Sequence, residues 1–566
     1  MSDPTPNAEE TAELAEVNKK PFAKRLGYYS KKSGPGWLQA AITLGGGSLA
    51  SALFLGVILE YNLMWLQPLA MILGVIMLSA IAYVTLSSGK RPFGAIKEYV
   101  SPVLGWAWLI AAMMANIVWC LPQFALGTGA IQQNLLPGIF EGKSWAPWAI
   151  GVVLLAIGAT IVKAYDSNSK GVKLFETILK IMVGIVVVSF FIVVAKLTFA
   201  GTLEWGKIFK GFIPNFAYLN QPAPDVAAAI SATGDAAPIW TELISKVQTD
   251  KIIAAFGTAV GINMTFLLPY SMLRKGWGKE HRGLATFDLS TGLIIPFIVA
   301  TSCIVIAAAS QFHGKSEDII NPDGSVIAGK EGSFNSVADK FVSKYYTAEL
   351  DGLEGDAQTA KVEELRNGLS IENRRIAAMQ VDRKDSDLAK SLSALAGEGF
   401  GKIVFGVGVL GMAISTIIIL MLINGFCLCE AMGRPDDKKL HFLGSLIPGL
   451  LGICFPLVWT GESKAALAIP TSVIGSSLLP IAYFTFLLLM NSKRLLGDAM
   501  PTGGKRIAWN VAMLVATGAA TFGTVWALKS KEAWGLPVGK IGIGFIILLF
   551  ILGLIGFISK NKKSAA

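Results

Sequence analysis

Apolar stretches of about 20 residues, long enough to cross a bilayer as a helix, recur along almost the whole chain. Twelve are predicted as spans, at 37–58, 62–86, 103–131, 146–163, 174–200, 252–273, 285–311, 400–426, 440–460, 466–490, 507–528 and 540–559. The polar intervals are short, with two exceptions. Residues 201–251 carry turn formers such as "NQPAPD". Residues 312–398 are hydrophilic, with a turn signal at "NPDG" and a charged helical pattern around "AKVEELRNGLSIENRRIAAMQ". The second interval reads as a solvated decoration rather than a cap over a pathway, since surface loops tolerate insertion. Residues 1–33 are polar, acidic and then basic, and do not read as a cleavable secretory signal.

Two spans contain an interruption. The first holds "AITLGGGSLASA", Ala41 to Ala52, in which three consecutive glycines each cost a helix about 1 kcal/mol relative to alanine. The sixth holds "GINMTFLLPYS", with Gly261, Pro269 and several polar residues. Any backbone freed inside a bilayer must find another partner. Broken helices at matching positions of two halves point to an inverted-repeat transporter with its site at the breaks. The expected organisation is a polar segment (1–33), a first repeat of spans 1–5 (34–200), a loop (201–251), a second repeat of spans 6–10 (252–490) carrying the insertion 312–398, and two additional spans (491–566). Five spans per repeat is odd, so the second repeat enters with opposite orientation.

Composition sharpens this picture. Of 566 residues, 53% are hydrophobic and 16% charged, against about 25% charged in soluble domains. Mean hydropathy is +0.56. The net charge of +10 does not imply nucleic acid, because the basic residues gather in alternate short loops. Lys90, Arg91 and Lys97 form one such group, Arg274, Lys275, Lys279 and Arg282 another, and Lys493, Arg494, Lys505 and Arg506 a third. The positive-inside rule then predicts a cell (inner) membrane protein with both termini cytoplasmic and the two long loops outside. The five cysteines, including the lone C-x-C at Cys427 and Cys429, fit packing better than a zinc site.

"SGPGWLQAAITLGGGS" (33–48) resembles the first-helix signature of the NRAMP metal-ion transporters, in which G-P-G is followed by D-P-G-N. "TSVIGSSLLPIAYFTFLLLMNSKRLLGD" (471–498) is similar to their tenth helix, and "ATFDLSTG" and "GVLGMAISTIIILMLINGF" to the seventh and eighth. The resemblance implies an all-α LeuT-type fold, with two inverted five-helix repeats plus two helices. It also implies proton-coupled transport of divalent ions by alternating access. The family's site residues do not carry over. Gly45, Gly46, Gly47 and Ser48 stand where D-P-G-N is expected. Either Met264-Thr265-Phe266 or Asn263-Met264-Thr265 stands for M-P-H, and the tenth-helix glutamine falls near Ser472.

No Asp or Glu is predicted deep in the bundle. Glu60, Glu176, Asp288 and Glu430 lie near span ends and read as interfacial charges, with Glu176 and Lys180 spaced as a helical pair. His281, His313 and His441 lie in loops or at a span start, where a lone histidine seldom signals a proton relay. A dehydrated dication without an anion costs several kcal/mol at the bilayer midplane. Two substrate classes stay open. One is a divalent metal ion, partly hydrated and held by Thr43, Ser48, carbonyls around Gly45, and Asn263 or Met264. The other is a small anionic or polar solute (a carboxylate, an amino acid or a bicarbonate-like ion) bound by the Gly45–Ser48 backbone. The candidate lining is Thr43, Gly45, Gly46, Gly47, Ser48, Asn263, Met264, Thr265 and Ser472. Further polar candidates are Ser51, Asn116, Gln123, Thr128 and Thr416. A non-transporting receptor on the same scaffold is a third reading, suggested only by the insertion at 312–398. No nucleophile–base pair, phosphate loop or cofactor motif suggests an enzyme.

Overall fold

The structure, a computed structural model, describes residues 8–167, 169–392, 397–533 and 535–562. Among these it is helical, with only two isolated bridges, Ile320 with Val326 and Ala533 with Leu536. Helices coincide with all twelve predicted spans. Span 1 is a bent pair, Pro35–Thr43 and Gly46–Leu59, turned by 50° at the break. Span 2 is Leu66–Ser88, and span 3 is Pro102–Gly129 running on as a π-helical turn to Leu135. Spans 4 and 5 are Ala146–Ser167 and Ser169–Phe199. Span 6 is again two helices, Ala237–Gly257 and Ile262–Arg274. Span 7 runs from Arg282–Leu289 to Ile295–Phe312, and span 8 is Glu398–Ala431. Span 9 is Lys438–Ile453, and span 10 is Ala468–Ser476 with Leu479–Met490. Spans 11 and 12 are Gly503–Leu528 and Val538–Lys562. Among the described residues, nine helices are long and apolar enough to cross a bilayer, or ten if the bent pair counts as one.

The interruptions differ in detail from the sequence expectation. In span 1 the helix ends at Thr43 and restarts at Gly46, so Gly46 and Gly47 open the second half rather than forming the gap. In span 6 the gap covers residues 258–261, while Pro269 lies inside a continuous helix. The first half of span 6 begins at Ala237, not near 252. Its early turns carry Glu242, Lys246, Asp250 and Lys251, which lower the hydropathy without stopping the helix. Spans 3 and 8 lie along each other, and span 8 also runs along span 9. Span 12 sits at the periphery, with only 17% of its most apolar stretch covered by protein.

Two of the four acidic positions have specific roles that their place near span ends concealed. Asp288 is buried, not interfacial. Its carboxylate accepts hydrogen bonds from the backbone amides of Gly34 (3.1 Å) and Gly36 (2.6 Å), capping the amino end of span 1 from span 7. An acidic cap both satisfies orphan amides and meets the positive end of the helix dipole. Glu430 pairs with Arg91 at 3.4 Å. The side chains of Glu176 and Lys180 lie outside the described residues.

The insertion 312–398 is folded onto the bundle. "NPDG" forms the predicted turn, with the Asn321 amide donating to the Ser325 carbonyl at 2.8 Å. The charged pattern becomes two helices, Gly355–Asn367 and Ile371–Met379, the second capped by Ser370. Arg383 is buried and grips Asp318 with two nitrogens at 3.0 Å. Lys251 of span 6 pairs with Asp382 at 2.7 Å. Asp385 is buried against span 3, and its Oδ1 accepts from the Ala465 amide at the start of span 10 (3.1 Å). The solvated-decoration reading therefore gives way to a docked segment, because a few long-range polar contacts anchor an otherwise hydrophilic stretch.

Replacing Asp288 with alanine leaves two amides of span 1 without their acceptor, and should destabilise the protein by about 1–3 kcal/mol, read as a lower Tm in detergent. Asp385 supplies a pH-dependent prediction. Burial pushes its carboxyl up to about 7, with the Ala465 amide and Lys464 opposing. The folded state thus holds the proton more tightly than the unfolded one. Its contribution to docking is fully present below the ordinary carboxyl range, near pH 4, and is lost as pH rises through about 7. Amide exchange of residues 380–392 should accelerate over that window, and Asp385→Asn should flatten the pH dependence.

Candidate functional site

The two breaks meet in the middle of the bundle around a small cavity of about 40 Å³, measured as space for the centre of a water-sized sphere. That holds a very few waters or one small ion, taking roughly 10–15 Å³ per water on this measure. Gly47 and Ser48 line it from the amino end of the second half of span 1, and Ile42 from the last turn of the first half. Gly257 and Thr258 come from the carboxyl end of the first half of span 6, and Gly261, Asn263 and Met264 from the restart. Trp119, Pro122 and Gln123 of span 3, Thr416 and Leu420 of span 8, and Ser472 of span 10 complete the wall.

Close approach explains the glycines. Gly45 has φ −86°, open to any residue, so its backbone conformation does not demand glycine. A Cβ there, however, falls 2.3 Å from Thr416 Oγ1 and 2.8 Å from the Ile42 carbonyl oxygen. At Gly46 it falls 2.3 Å from Leu126 Cδ1 and 2.8 Å from Gln123 Oε1. Gly47 has more room, its nearest neighbour being Thr258 Cγ2 at 3.3 Å. Gly261 lies against the Trp119 ring, with a Cβ placed 2.5 Å from its outer edge. Glycines on both sides thus let span 3 approach the two breaks.

The predicted residues divide into two shells of contact. Gly47, Ser48, Asn263, Met264 and Ser472 reach the cavity. Ser48 donates to the Thr258 carbonyl (3.2 Å), joining the two breaks directly. The Asn263 Oδ1 accepts from the Met264 amide (2.9 Å). Behind them, Thr43 donates to the Met264 sulfur (3.3 Å), and Gly45 and Gly46 pack on spans 8 and 3. Thr265 faces away from the cavity, donating to the Ile262 carbonyl and accepting from Trp108 Nε1 (3.0 Å). Of the further polar candidates, Gln123 and Thr416 line the cavity, while Ser51, Asn116 and Thr128 do not.

Sequence reasoning passed over Trp119 and Thr258, and gave Pro122, near which the resemblance puts a third-helix carboxylate of the family, no place in the lining. Proline at 122 inside span 3 was a usable signal, since it leaves the Val118 carbonyl without its helical donor. Glycines at 257 and 261 bracketing Thr258 were another.

No carboxylate, histidine or cysteine lines the cavity among the described residues. Three buried polar atoms of its wall have no hydrogen-bond partner within the protein: Trp119 Nε1, Gln123 Oε1 and Ser472 Oγ. A buried polar atom left unpaired costs about 1–3 kcal/mol, so these atoms are available to an occupant. No side chain caps Gly46–Leu59 or Ile262–Arg274. In the second helix Asn263 Oδ1 takes up the Met264 amide, whereas the first amides of Gly46–Leu59, at its positive end, are not taken up by a capping side chain.

A helical membrane bundle with two interrupted spans meeting at a small central cavity defines the class as a membrane transporter of LeuT-type fold. Residues 36–325 and 376–526 match the family described as natural resistance-associated macrophage protein-like, and the chain belongs to that NRAMP family. A segment of 196 residues is 25% identical to the manganese transporter pdt1 of Schizosaccharomyces pombe. That match spans 34% of this chain and 35% of the relative, about a third of its length. Crystal structures of the Eremococcus coleocola manganese transporter share the fold at 14% identity. A histidine-to-alanine mutant superimposes with a TM-score of 0.61 over 96% of both chains. A complex with an aromatic bis-isothiourea compound gives 0.59 over 99% of this chain and 98% of the other.

The glycines yield a graded prediction. Gly47→Ala should fold close to wild type, since the neighbouring methyl gives by a few tenths of an ångström. Gly45→Ala forces backbone and Thr416 apart, and should cost about 1–3 kcal/mol, the usual range for overpacking. Thermal unfolding of the two purified variants side by side checks the order.

Proposed function

We propose that this NRAMP-family protein is a secondary transporter working by alternating access, with its substrate bound between the breaks of spans 1 and 6. Its substrate is a small anionic or polar solute of the carboxylate or bicarbonate-like class. The observation that carries this is a cavity without a carboxylate among the described residues, bordered by the amides that open the second half of span 1 and by the unpaired Trp119 indole N–H. Gly46, Gly47 and Ser48 open a helix whose cap is a glycine with no side chain to offer. The Trp119 indole N–H points at no protein acceptor, and the nearby Thr258 carbonyl already accepts from Ser48. Amides at a helix start favour negative charge. A dehydrated dication here meets no carboxylate and keeps its desolvation cost.

In this reading Gly47 and Ser48 present backbone amides to the solute, Trp119 and Ser472 add donors, and Gln123 orients through its amide. Asn263 and Met264 close the opposite side. Both termini lie in the cytoplasm of a cell membrane by the distribution of basic loops. In this reading spans 1–5 and spans 6–10 are the two inverted repeats, with spans 11 and 12 outside them.

A second reading is a hydrated divalent ion, supported by the names of the manganese-transporting relatives. Its donors would be Gln123 Oε1, Ser48, Asn263, the Met264 thioether and carbonyls near Gly45. A hard ion that keeps its water, such as magnesium, suits neutral oxygen ligands better than manganese does.

Uptake into proteoliposomes of bicarbonate, small carboxylates, amino acids, magnesium and manganese separates the two. The expected result is saturable uptake of an anion that drops about ten-fold or more in Gly47→Ala, equivalent to ~1.4 kcal/mol. Saturable manganese uptake accompanied by acidification of the vesicles overturns the proposal.

A further inference from the structure

We propose that Glu60, Asp225 and His313 form a binding site for a first-row divalent transition metal, at the end of the bundle that carries the long loops. The three come from separate segments. Glu60 follows the second half of span 1, Asp225 sits in the first turn of Pro224–Ser231, and His313 follows span 7. One ligand atom from each lies within 4.8 Å of the other two.

The histidine is the informative member. Its side chain is 5% exposed, and its Nδ1 lies 2.9 Å from the Val57 carbonyl oxygen. A carbonyl only accepts, so in the neutral ring the proton sits on Nδ1, and Nε2 carries the lone pair. That nitrogen is buried and has no hydrogen-bond partner. It stands 3.9 Å from Asp225 Oδ2, too far for a hydrogen bond. Two ligands at about 2.0–2.2 Å from a tetrahedral zinc are separated by roughly 3.5 Å, so small side-chain rotations close the set. A backbone carbonyl fixing the far nitrogen of a ligating imidazole is the usual support for such a site.

Glu60 is the one non-glycine residue with positive φ among the described residues, at 53°. That strained backbone is held in place by the surrounding structure. One imidazole and two carboxylates give a mixed nitrogen–oxygen set with charge −2. It suits zinc, iron or nickel better than calcium, which takes oxygen alone. A metal there would tie the end of the broken span 1 to span 7 and to the 201–251 segment, away from the central cavity.

The test is calorimetric titration of the purified, chelator-treated full-length protein with Zn²⁺ and, separately, Ca²⁺, with Tm as a second readout. Co²⁺ supplies a visible absorption signature of the ligand set. Expected is one Zn²⁺ site that raises Tm, with affinity reduced ten-fold or more in both His313→Ala and Asp225→Asn. The Asp225 side chain is largely exposed, so Asp225→Asn keeps the fold even where His313→Ala does not. Gly47→Ala, which alters the central cavity, should bind Zn²⁺ as wild type does. Absence of Zn²⁺ binding, binding unchanged in Asp225→Asn, preference for Ca²⁺, or loss of binding in Gly47→Ala each overturns the assignment.

Discussion

Inside a bilayer no water is available to an opened backbone, and a helix interrupted at mid-depth survives only where protein surrounds the opening. The interruption of span 1 meets this condition through its neighbours. Thr416 of span 8 presses on Gly45, Leu126 and Gln123 of span 3 on Gly46, and Thr258 of span 6 on Gly47. The second interruption is closed by the same means, with Trp119 laid across Gly261 and Gly475. Each break thus helps to cover the other, and the Ser48–Thr258 and Thr43–Met264 hydrogen bonds link them directly. Remove the glycines and the covering elements must withdraw, exposing the backbone that they protect.

Span 1 is also set from its end. Asp288 holds the Gly34 and Gly36 amides from span 7, and a Cβ at Gly36 would lie 2.5 Å from the Asp288 carbonyl oxygen. This contact leaves little freedom for the first half of span 1 relative to span 7, whereas the second half is positioned by spans 3, 6 and 8. The 50° bend is the difference between two separately anchored halves. At the other end, Asp385 reaches the start of span 10 from the long insertion. Carboxylates are thus used to fix helix ends while the centre is left neutral.

That division explains what could be read from the residues. Spans announce themselves because length and apolarity are local properties, and so does a triple glycine within one. The gap itself falls at Leu44 and Gly45, since the helix restarts as soon as Gly46 and Gly47 are supported by neighbours distant in sequence. Asp288 looked interfacial because its partners, Gly34 and Gly36, lie more than 250 positions away in the chain. Trp119 looked like one more apolar helix residue, and only the glycines on either side of it in space make it a wall of the cavity. The docking of 312–398 was equally hidden, because Lys251–Asp382 and Asp385–Ala465 are pairings with no local pattern.

The charge distribution carries the functional argument furthest. The chain belongs to a family with manganese-transporting relatives, yet Gly45, Gly46, Gly47 and Ser48 stand at its first interruption and no carboxylate lines the cavity among the described residues. In the proposed reading, a lining without a carboxylate leaves selectivity to dipoles of fixed orientation. A helix start offers about half a positive charge, and a buried indole N–H adds a directed donor. Both favour an anion, yet neither changes its charge with pH in the physiological range. On the same reading, proton coupling falls to the solute's own ionisation or to groups beyond the cavity wall. A bicarbonate-like or carboxylate solute brings that ionisation with it, which a metal ion does not.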